Sequence, residues 1–220
     1  MAVLVSDIFQ RVRDALIDTN PNVELQRYPD SELIRYFNDA GKAIVRDKPS
    51  ANPIHAHGYE LQVGTFQTAP EDALMILDIP RNTGGNAVRL IERTVLDDSA
   101  PNWHMMEPSA SIMHYSKEPH DPVHFYVYPP AADGARVDLV YAAPPADVSD
   151  VEDTFPLSSV YVTTYTDYIL YRCYMKDADF AANHQLAMQY LQSYAQQLGV
   201  QLQMQMYAPK HKDPHLSGDN

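Results

Sequence analysis

The chain has 220 residues, of which 45% are hydrophobic, and its 29 acidic and 16 basic residues give a formal charge of −13. This length suits one domain with a sizeable core or two small ones, and the negative charge argues against a basic surface that would hold nucleic acid or lipid headgroups. The single cysteine, Cys173, excludes an internal disulfide framework, and no apolar stretch is long enough to span a bilayer.

Two amphipathic helices are predicted at the start of the chain. The first begins at Ser6, an N-cap candidate, and ends near Thr19. The second begins after Pro29, with Asp30 or Ser31 as its cap, and ends at Lys48. Apolar residues recur on one face of each with a period of 3.6. They are Ile8, Phe9, Val12, Ala15 and Leu16 in the first helix and Leu33, Ile34, Phe37, Ala40, Ile44 and Val45 in the second.

The middle of the chain, residues 59–143, changes to a period of two and carries recurring turn residues, which predicts an antiparallel β module. The predicted strands lie around Leu61 and Val63, and at Leu74–Ile79, Val88–Ile91, Phe125–Tyr128 and Val137–Tyr141. An Asp-Gly pair lies between the last two, and this pair is a strong hairpin signal. The segment from Ala142 to Asp153 is predicted to be the exit linker.

Helical periodicity returns at Ser158, and a further helix is predicted from Ala178 to Leu198 with Gly199 as its C′ residue. Tyrosines dominate the apolar stripes of these helices, and they indicate either core residues with hydroxyls at the rim or an exposed binding face. The candidates are Tyr161, Tyr165, Tyr168 and Tyr190. After Gly199, apolar and glutamine residues alternate as in a strand, and the end of the chain is predicted to be disordered when free.

The stretch HYSKEPHDPVHFYVYPP, residues 114–130, raises the question of a metal or acid/base site. Its histidines, His114, His120 and His124, are not spaced as ligands on a helix, and Pro119 and Pro122 make a helix improbable. Glu118 and Asp121 are a carboxylate pair of the kind expected by chance in an acidic chain. We therefore interpret the stretch as a turn that leads into a strand. His55 and His57 are interpreted as part of a polar loop after Pro53.

Together these patterns predict an α+β fold in which a helical frame from both chain ends surrounds an inserted antiparallel β module. The helical part comprises residues 1–55 and 154–199, the β domain residues 56–153, and an extended tail residues 200–220. No nucleotide-binding, hydrolase or metalloprotease motif is present in the sequence. The sequence therefore gives no catalytic, cofactor-binding or metal-binding residue.

Six sequence segments follow one another along the chain. They are RYPDSELIRYFNDAGKAIVRDKPSA, ALMILDIPRN, AVRLIERTVLDDSAPNWH, PSASIMHYSKEPHDPVHFYVYPPA, VDLVYAAPPADV and DYILYRCYMKDADFAANHQLAMQYLQSYAQQLG. In the sequence and the order of these segments, from residue 6 to residue 199, the chain resembles the phage adaptor family of podovirus head-to-tail connectors. The tail after Gly199 lies outside this resemblance.

The resemblance implies a structural role without enzymatic activity or cofactor. It implies an adaptor ring, typically dodecameric, that docks beneath the portal and passes DNA, without specific binding, to a tail nozzle or tube. Such a protein is a virion component that is assembled in the host cytoplasm.

Three groups of residues are candidates for contacts in such a ring. In the tail, the alternation of Leu202, Met204 and Met206, followed by Tyr207, predicts a strand that docks on the portal protein. The four tyrosines named above are candidates for inter-subunit contacts. Trp103, Phe125 and Tyr128 are candidate anchors for the next tail component, although Trp103 could equally fill the core of its own β module.

Two alternatives from other classes stay open on the sequence. One is a metal-dependent glycan hydrolase or depolymerase of the tail that uses the histidine stretch. The other is a monomeric tail or capsid accessory module that binds one partner without forming a ring.

Overall fold

The computed structural model describes residues 3–22, 25–176 and 181–199. The chain is a mixed α+β protein, as the sequence predicts, and its helices come from the two ends while its strands come from the middle. The helices of the described part are α1 (Val5–Leu16), α2 (Asp30–Asp47), α3 (Arg93–Ser99), α4 (Val162–Lys176) and α5 (Ala181–Leu198). The strands are β1 (Pro53–Glu60), β2 (Gly64–Thr68), β3 (Met75–Asn82), β4 (Arg89–Leu90), β5 (His114–Glu118), β6 (Asp121–Ala131) and β7 (Arg136–Ala142).

The strands form two sheets. The first has three antiparallel strands in the order β1-β7-β3. The second has the order β2-β6-β5-β4, with antiparallel pairing except for the short parallel β4–β5 contact. The expected antiparallel β module is therefore present, but it is divided between two sheets.

The predicted hairpin between β6 and β7 is wrong, because the two strands belong to different sheets. Pro129 and Pro130 at the end of β6 have no N–H groups to donate into a ladder beside the turn. Gly134, with a φ of 73° in the left-handed region, redirects the chain into the first sheet. The hairpin forms instead between β5 and β6, where Glu118 pairs with Asp121 across the Pro119–His120 turn.

Other local predictions are corrected by the structure. His55 and His57 lie on β1 rather than in a polar loop, because that segment pairs with β7. Leu61 and Val63 lie in the turn between β1 and β2 rather than in a strand. The short helix α3 was not predicted, since its seven residues carry too little periodicity to be recognised.

The starts of α1 and α2 differ from the predicted ones by one or two residues. Ser6 lies inside α1, whose first turn is capped by the Asp7 carboxylate accepting a bond of 2.9 Å from the Leu4 N–H. Pro29, not Asp30 or Ser31, is the N-cap residue of α2. Gly199 has a φ of 70°, as expected of a residue that ends α5.

Buried hydrophobic side chains form two clusters, one between the helices and one between the sheets. The helical cluster joins α1, α2, α4 and α5 around residues such as Ile8, Phe37, Tyr165 and Ile169. The β cluster packs the facing sides of the two sheets around Ile79, Phe125, Val127 and Leu139. The proposed domain division at residues 55 and 153 stays a prediction. No helix of the described residues is long and apolar enough to cross a membrane.

A carboxylate in the first sheet gives the β module a testable pH dependence. Asp138 on β7 accepts bonds from the Arg81 Nε at 2.6 Å, the Gly58 N–H at 3.3 Å and the Thr83 hydroxyl at 3.1 Å. The Arg81 bond is the main cause that lowers the pKa of Asp138 to about 2. Since the folded pKa lies below the ordinary value of about 3.9, the ionised group stabilises the fold above pH 4.

We expect this stabilisation to be lost as the pH falls from about 4 to about 2. The measurement is the free energy of unfolding by urea at a series of pH values, in the wild type and in Asp138→Asn. The variant should be less stable at neutral pH, and the difference should narrow through this acidic range. A difference that stays constant with pH would contradict the assignment.

Candidate interaction surface

The predicted tyrosines occupy two different environments. Tyr165 is fully buried, with its ring centroid 4.7 Å from that of Phe37 and 4.9 Å from that of Phe155. Tyr161, Tyr168 and Tyr190 are half-buried and reach the surface. Tyr165 is therefore a core residue, and an inter-subunit role for the other three stays a prediction.

Arg172 on α4 lies at the centre of a polar and aromatic network with α2. Its Nη1 donates to the Asp39 carboxylate at 2.8 Å and lies 3.4 Å from the Tyr168 hydroxyl oxygen. Its guanidinium carbon lies 4.8 Å from the centroid of the Tyr36 ring and 6.0 Å from that of Tyr168. We call the surface formed by Tyr36, Asp39, Tyr168, Tyr171 and Arg172 the tyrosine–arginine face. Tyrosine and arginine are enriched at the binding hot spots of protein interfaces.

An ion pair holds one end of this face in place. Lys176 Nζ donates to both oxygens of Glu32, at 2.8 and 2.9 Å, and the Tyr36 hydroxyl donates to the same carboxylate at 2.7 Å. Burial acts to raise the pKa of Glu32, but the bonds from Lys176 and Tyr36 outweigh it and the pKa is lowered. Burial, together with the bond to Glu32, raises the pKa of Tyr36 to about 12. At neutral pH the carboxylate is therefore ionised and the phenol is neutral.

A second polar network fixes α5 against α4. The buried Asp167 carboxylate accepts bonds of 2.6 Å from the Ser193 hydroxyl and from the Gln197 side-chain amide. Burial raises the pKa of Asp167, although these two bonds oppose the rise. The Tyr194 hydroxyl donates to Asp47 at the end of α2, at 2.8 Å. The three helices α2, α4 and α5 therefore present one connected surface.

A groove adjoins this surface where the helices meet the first sheet. It has a volume of about 440 Å³, and we call it the junction groove. Its apolar lining comes from Ala43, Leu74, Pro144 and Tyr168, and its charged lining from Asp39, Lys42 and Arg46.

Both basic residues of the junction groove have a carboxylate partner. Lys42 pairs with Asp147 at 2.9 Å, but both side chains are at least half exposed. The Arg46 side chain is 72% exposed, and its Nε lies 2.9 Å from the Asp47 carboxylate, which also accepts the Tyr194 hydroxyl. The groove thus has an apolar lining beside exposed ion pairs, and its acidic residue Asp39 pairs with Arg172 at 2.8 Å.

The histidine stretch forms the β5–β6 hairpin, so the interpretation as a turn that leads into a strand is confirmed. The His124 Nδ1 lies 2.6 Å from the Asp121 carboxylate, which lowers the pKa of Asp121. The His114 ring stacks on Tyr128 with centroids 6.1 Å apart, and Glu118 pairs with Arg93 at 3.2 Å. These groups have separate partners. Within the described part of the chain, no group of three or more His, Cys, Asp or Glu side chains is placed to hold a metal ion.

The three predicted anchors for a tail component differ in their exposure. Trp103 and Phe125 are fully buried, and the Trp103 indole N–H donates to Asp97 at 2.9 Å. The structure therefore places Trp103 inside its own β module, which is the alternative that the sequence left open. Tyr128 is half-buried, so it retains surface for a partner.

The second sheet carries an aromatic patch that the sequence did not suggest. Phe66 on β2 is 46% exposed and stacks on His124, with centroids 5.0 Å apart. Tyr126 lies 5.5 Å from Phe66 and 5.8 Å from His104. The alternation along β6 was the available signal, since His124, Tyr126 and Tyr128 must face away from the buried Phe125 and Val127.

The contacts of Arg172 were also missed, since its partner Asp39 is 133 residues away in sequence. The predicted portal-binding residues Leu202, Met204, Met206 and Tyr207 lie outside the described residues.

Comparison with known proteins identifies the family of the chain. A comparison with curated proteins finds no match to the chain. The family model described as SU10 adaptor protein matches residues 4–213, which is nearly the whole chain and includes both the helical layer and the two sheets. The chain therefore belongs to the SU10 adaptor protein family and is a structural head-to-tail adaptor of a phage particle.

Proposed function

We propose that the chain is one subunit of a ring, typically of twelve copies, that docks beneath the portal. The ring continues the DNA channel from the portal to a tail nozzle or tail tube. The observation that carries the proposal is the tyrosine–arginine face next to the junction groove. Arg172 and the half-buried Tyr168 and Tyr171 form a rigid, partly exposed surface on a structural adaptor. Such residues become hot spots when a second protein covers them.

The charge of the chain supports a role as the wall of a conduit. A formal charge of −13 repels the phosphate backbone, so DNA that passes the ring would slide without being held. The ring would be assembled in the host cytoplasm and retained in the virion.

The β module supports a contact with the next tail component. Tyr128 and Phe66 carry exposed aromatic surface on the second sheet, whereas Trp103 and Phe125 support that surface from inside. Aromatic residues at the centre of a patch are typical anchors of protein interfaces. We propose that this side of the subunit faces the tail.

The tail after Gly199 supports a contact with the portal. Leu202, Met204 and Met206 alternate with glutamines, a pattern that suits addition to the edge of a sheet in another protein. We expect deletion of residues 200–220 to abolish binding to the portal ring while circular dichroism and thermal unfolding stay unchanged. The matched control is a full-length variant in which Gln201, Gln203 and Gln205 are replaced by serine, because it keeps the apolar residues. A truncated chain that still binds the portal with wild-type affinity would contradict this role for the tail.

A further inference from the structure

A groove lies beside β4, which is an outer strand of the second sheet. It has a volume of about 300 Å³, and we call it the Arg89 groove. Its charged and polar lining comes from Asn86, Arg89, Ser111 and His114, and its apolar lining includes Met113. None of the described residues that line it is acidic, although the chain has a formal charge of −13.

Arg89 is a cation without a carboxylate partner. Its side chain is exposed, and no ion pair or side-chain hydrogen bond joins it to another residue of the described part of the chain. Arg93, four residues further on, has its charge met by Glu118 at 3.2 Å and by Asp97 at 3.7 Å. The positive charge of the Arg89 groove is therefore not cancelled by the residues that form it.

The strand register places Arg89 in a row with two ring side chains. Arg89 on β4 pairs with His114 on β5, and His114 pairs with Tyr128 on β6. Residues that pair directly across neighbouring strands project from the same face of a sheet. The rings of His114 and Tyr128 stack with their centroids 6.1 Å apart. The three side chains therefore form one continuous row across the outer face of the second sheet.

This face of the sheet is covered at one end and open at the other. Tyr126, two residues before Tyr128 on the same face, lies 5.9 Å from the ring of the buried Trp103. Beyond this cover, Arg89 is exposed, and His114 and Tyr128 are half-buried. The row thus begins where the cover from the chain itself ends, and another molecule can reach it.

The imidazole of His114 lacks a hydrogen-bond partner among the described residues. Its Nδ1 atom is buried and unpaired, and the residue lines the groove. Buried polar groups in native proteins are nearly always paired, so an unpaired one indicates a missing partner. An acceptor that enters the groove beside Arg89 can bind the imidazole N–H as well as the guanidinium.

The walls of the Arg89 groove are fixed to each other by the buried Asn82. Its side-chain amide donates to the carbonyl oxygens of Ile112 at 2.8 Å and Asn86 at 3.0 Å, and its oxygen accepts the Ile112 N–H at 2.7 Å. These bonds join the turn after β3 to the segment before β5. Because the groove is already formed, little conformational freedom is lost when a ligand binds there.

We propose that the Arg89 groove binds a carboxylate side chain of the tail component. This inference rests on the proposed function, in which the second sheet faces the tail, and it names the chemistry of that contact. The guanidinium of Arg89 donates to both carboxylate oxygens, which is the strong bidentate arrangement of such pairs. The Tyr128 ring and Met113, which is 55% exposed, contact the apolar neighbours of the bound acidic residue.

Charge favours a protein carboxylate over a DNA phosphate as the occupant. Binding to DNA neutralises several phosphates with several basic residues, whereas the groove contains one. The formal charge of −13 also repels a DNA backbone, which carries many charges close together. A single carboxylate on a neighbouring protein meets the one uncompensated arginine.

The test changes Arg89 in the full-length chain and measures how tightly the portal–adaptor complex binds the purified tail component of the same phage. The variants are Arg89→Glu and Arg89→Gln. Arg11→Glu is the matched control, because Arg11 is exposed on α1, in the helical part of the chain. Mass photometry first checks that each variant assembles on the portal, and circular dichroism checks its fold. Since Arg89 has no side-chain partner in the described residues, the fold should not change.

We expect Arg89→Glu to raise the Kd for the tail component at least about tenfold, because it places like charges opposite each other. Arg89→Gln should have a smaller effect in the same direction, and Arg11→Glu should match the wild type. If the wild type assembles and binds the tail component, but Arg89→Glu binds it equally well, the groove contact is wrong while the ring stands. If the wild type adds no mass to the portal, the proposed function fails and the inference fails with it.

Two further outcomes would also overturn the inference. One is a wild-type ring that assembles on the portal but does not bind the tail component. The other is a DNA duplex that binds the wild type and is weakened by Arg89→Glu, with the tail component unaffected. In that case the groove holds a phosphate and not a carboxylate.

A zero-length cross-link can identify the bound carboxylate directly. In Arg89→Lys, a carbodiimide joins the lysine amine to a carboxylate in contact with it, and an amide bond forms with loss of water. We expect mass spectrometry to find a link from position 89 to one Asp or Glu of the tail component, and no such link in the control Arg11→Lys. Links from position 89 only to other copies of this chain would contradict the choice of partner.

Discussion

Replacement of Phe37 by alanine is expected to lower the free energy of unfolding by about 3–5 kcal/mol. Phe37 is 1% exposed and contacts three other rings, with centroids 6.1 Å from Phe9, 6.1 Å from Phe155 and 4.7 Å from Tyr165. These rings come from α1, from the segment just before α4 and from α4, so truncation would leave a cavity where these three segments meet α2. Urea unfolding followed by circular dichroism measures the loss.

The control for this change is Phe66→Ala, which removes the same side chain from a site that is 46% exposed. Phe66 stacks on His124 at the surface, and its loss should cost about 1 kcal/mol or less. Equal losses for the two variants would mean that the helical core is not organised around Phe37.

Gly41→Ala is expected to destabilise the protein by about 1–3 kcal/mol, although alanine is the better helix former by about 1 kcal/mol. A Cβ at this position would stand 2.6 Å from the Tyr165 hydroxyl oxygen and 2.8 Å from Pro145 Cγ. The glycine therefore permits α2 to lie directly against α4 and the linker. Thermal and urea unfolding of the variant measure the net effect. An increase in stability, as at an open helical site, would contradict the close packing.

Tyr165→Phe provides the partner of Gly41→Ala in a double-mutant cycle. The buried Tyr165 hydroxyl has no hydrogen-bond partner within the described residues, and burial raises its pKa. Removal of the hydroxyl is therefore expected to be neutral or to stabilise by up to about 1 kcal/mol. In this background, Gly41→Ala should cost at least about 0.5 kcal/mol less, since one of the two clashes is gone. Additive effects would show that the hydroxyl does not limit the approach of the helices.

The helices were predictable because each carries its own periodic signal. Phe37, Ala40 and Ile44 on α2 repeat at helical spacing, and all three are buried. The order of the six sequence segments along the chain indicated the adaptor family, and the family model confirms it. Helical periodicity is a local property, and the order of the segments is read directly along the chain. Both can therefore be found in a single sequence.

Strand pairing was less predictable, because the sequence around a turn does not reveal which strands lie side by side. The Asp133-Gly134 pair between β6 and β7 resembles a hairpin turn, yet the chain changes sheets there. Pro129 and Pro130 were visible and argued against a ladder at that end of β6. The correct hairpin lay in the histidine stretch, where Pro119 and His120 form the turn.

The candidate surface depended on long-range contacts that no local pattern encodes. The tyrosine stripe of α4 could be recognised in the sequence. The sequence could not show that Tyr165 is buried and Tyr168 only half-buried, because this difference depends on how α2 packs against α4. The junction groove combines α2, the start of β3 and the linker after β7, which are distant in sequence. Its existence follows from tertiary packing and not from any one segment.

The most direct test of the account is mass photometry of the portal ring of the same phage with and without the full-length chain. The account predicts one fixed increment of about a dozen subunits, each of 24.8 kDa, with no stable partial occupancy at saturation. A monomer in the absence of portal is compatible with this result, since the ring would then assemble on its partner. An increment of a single copy, or no added mass at saturating concentration, would contradict the ring.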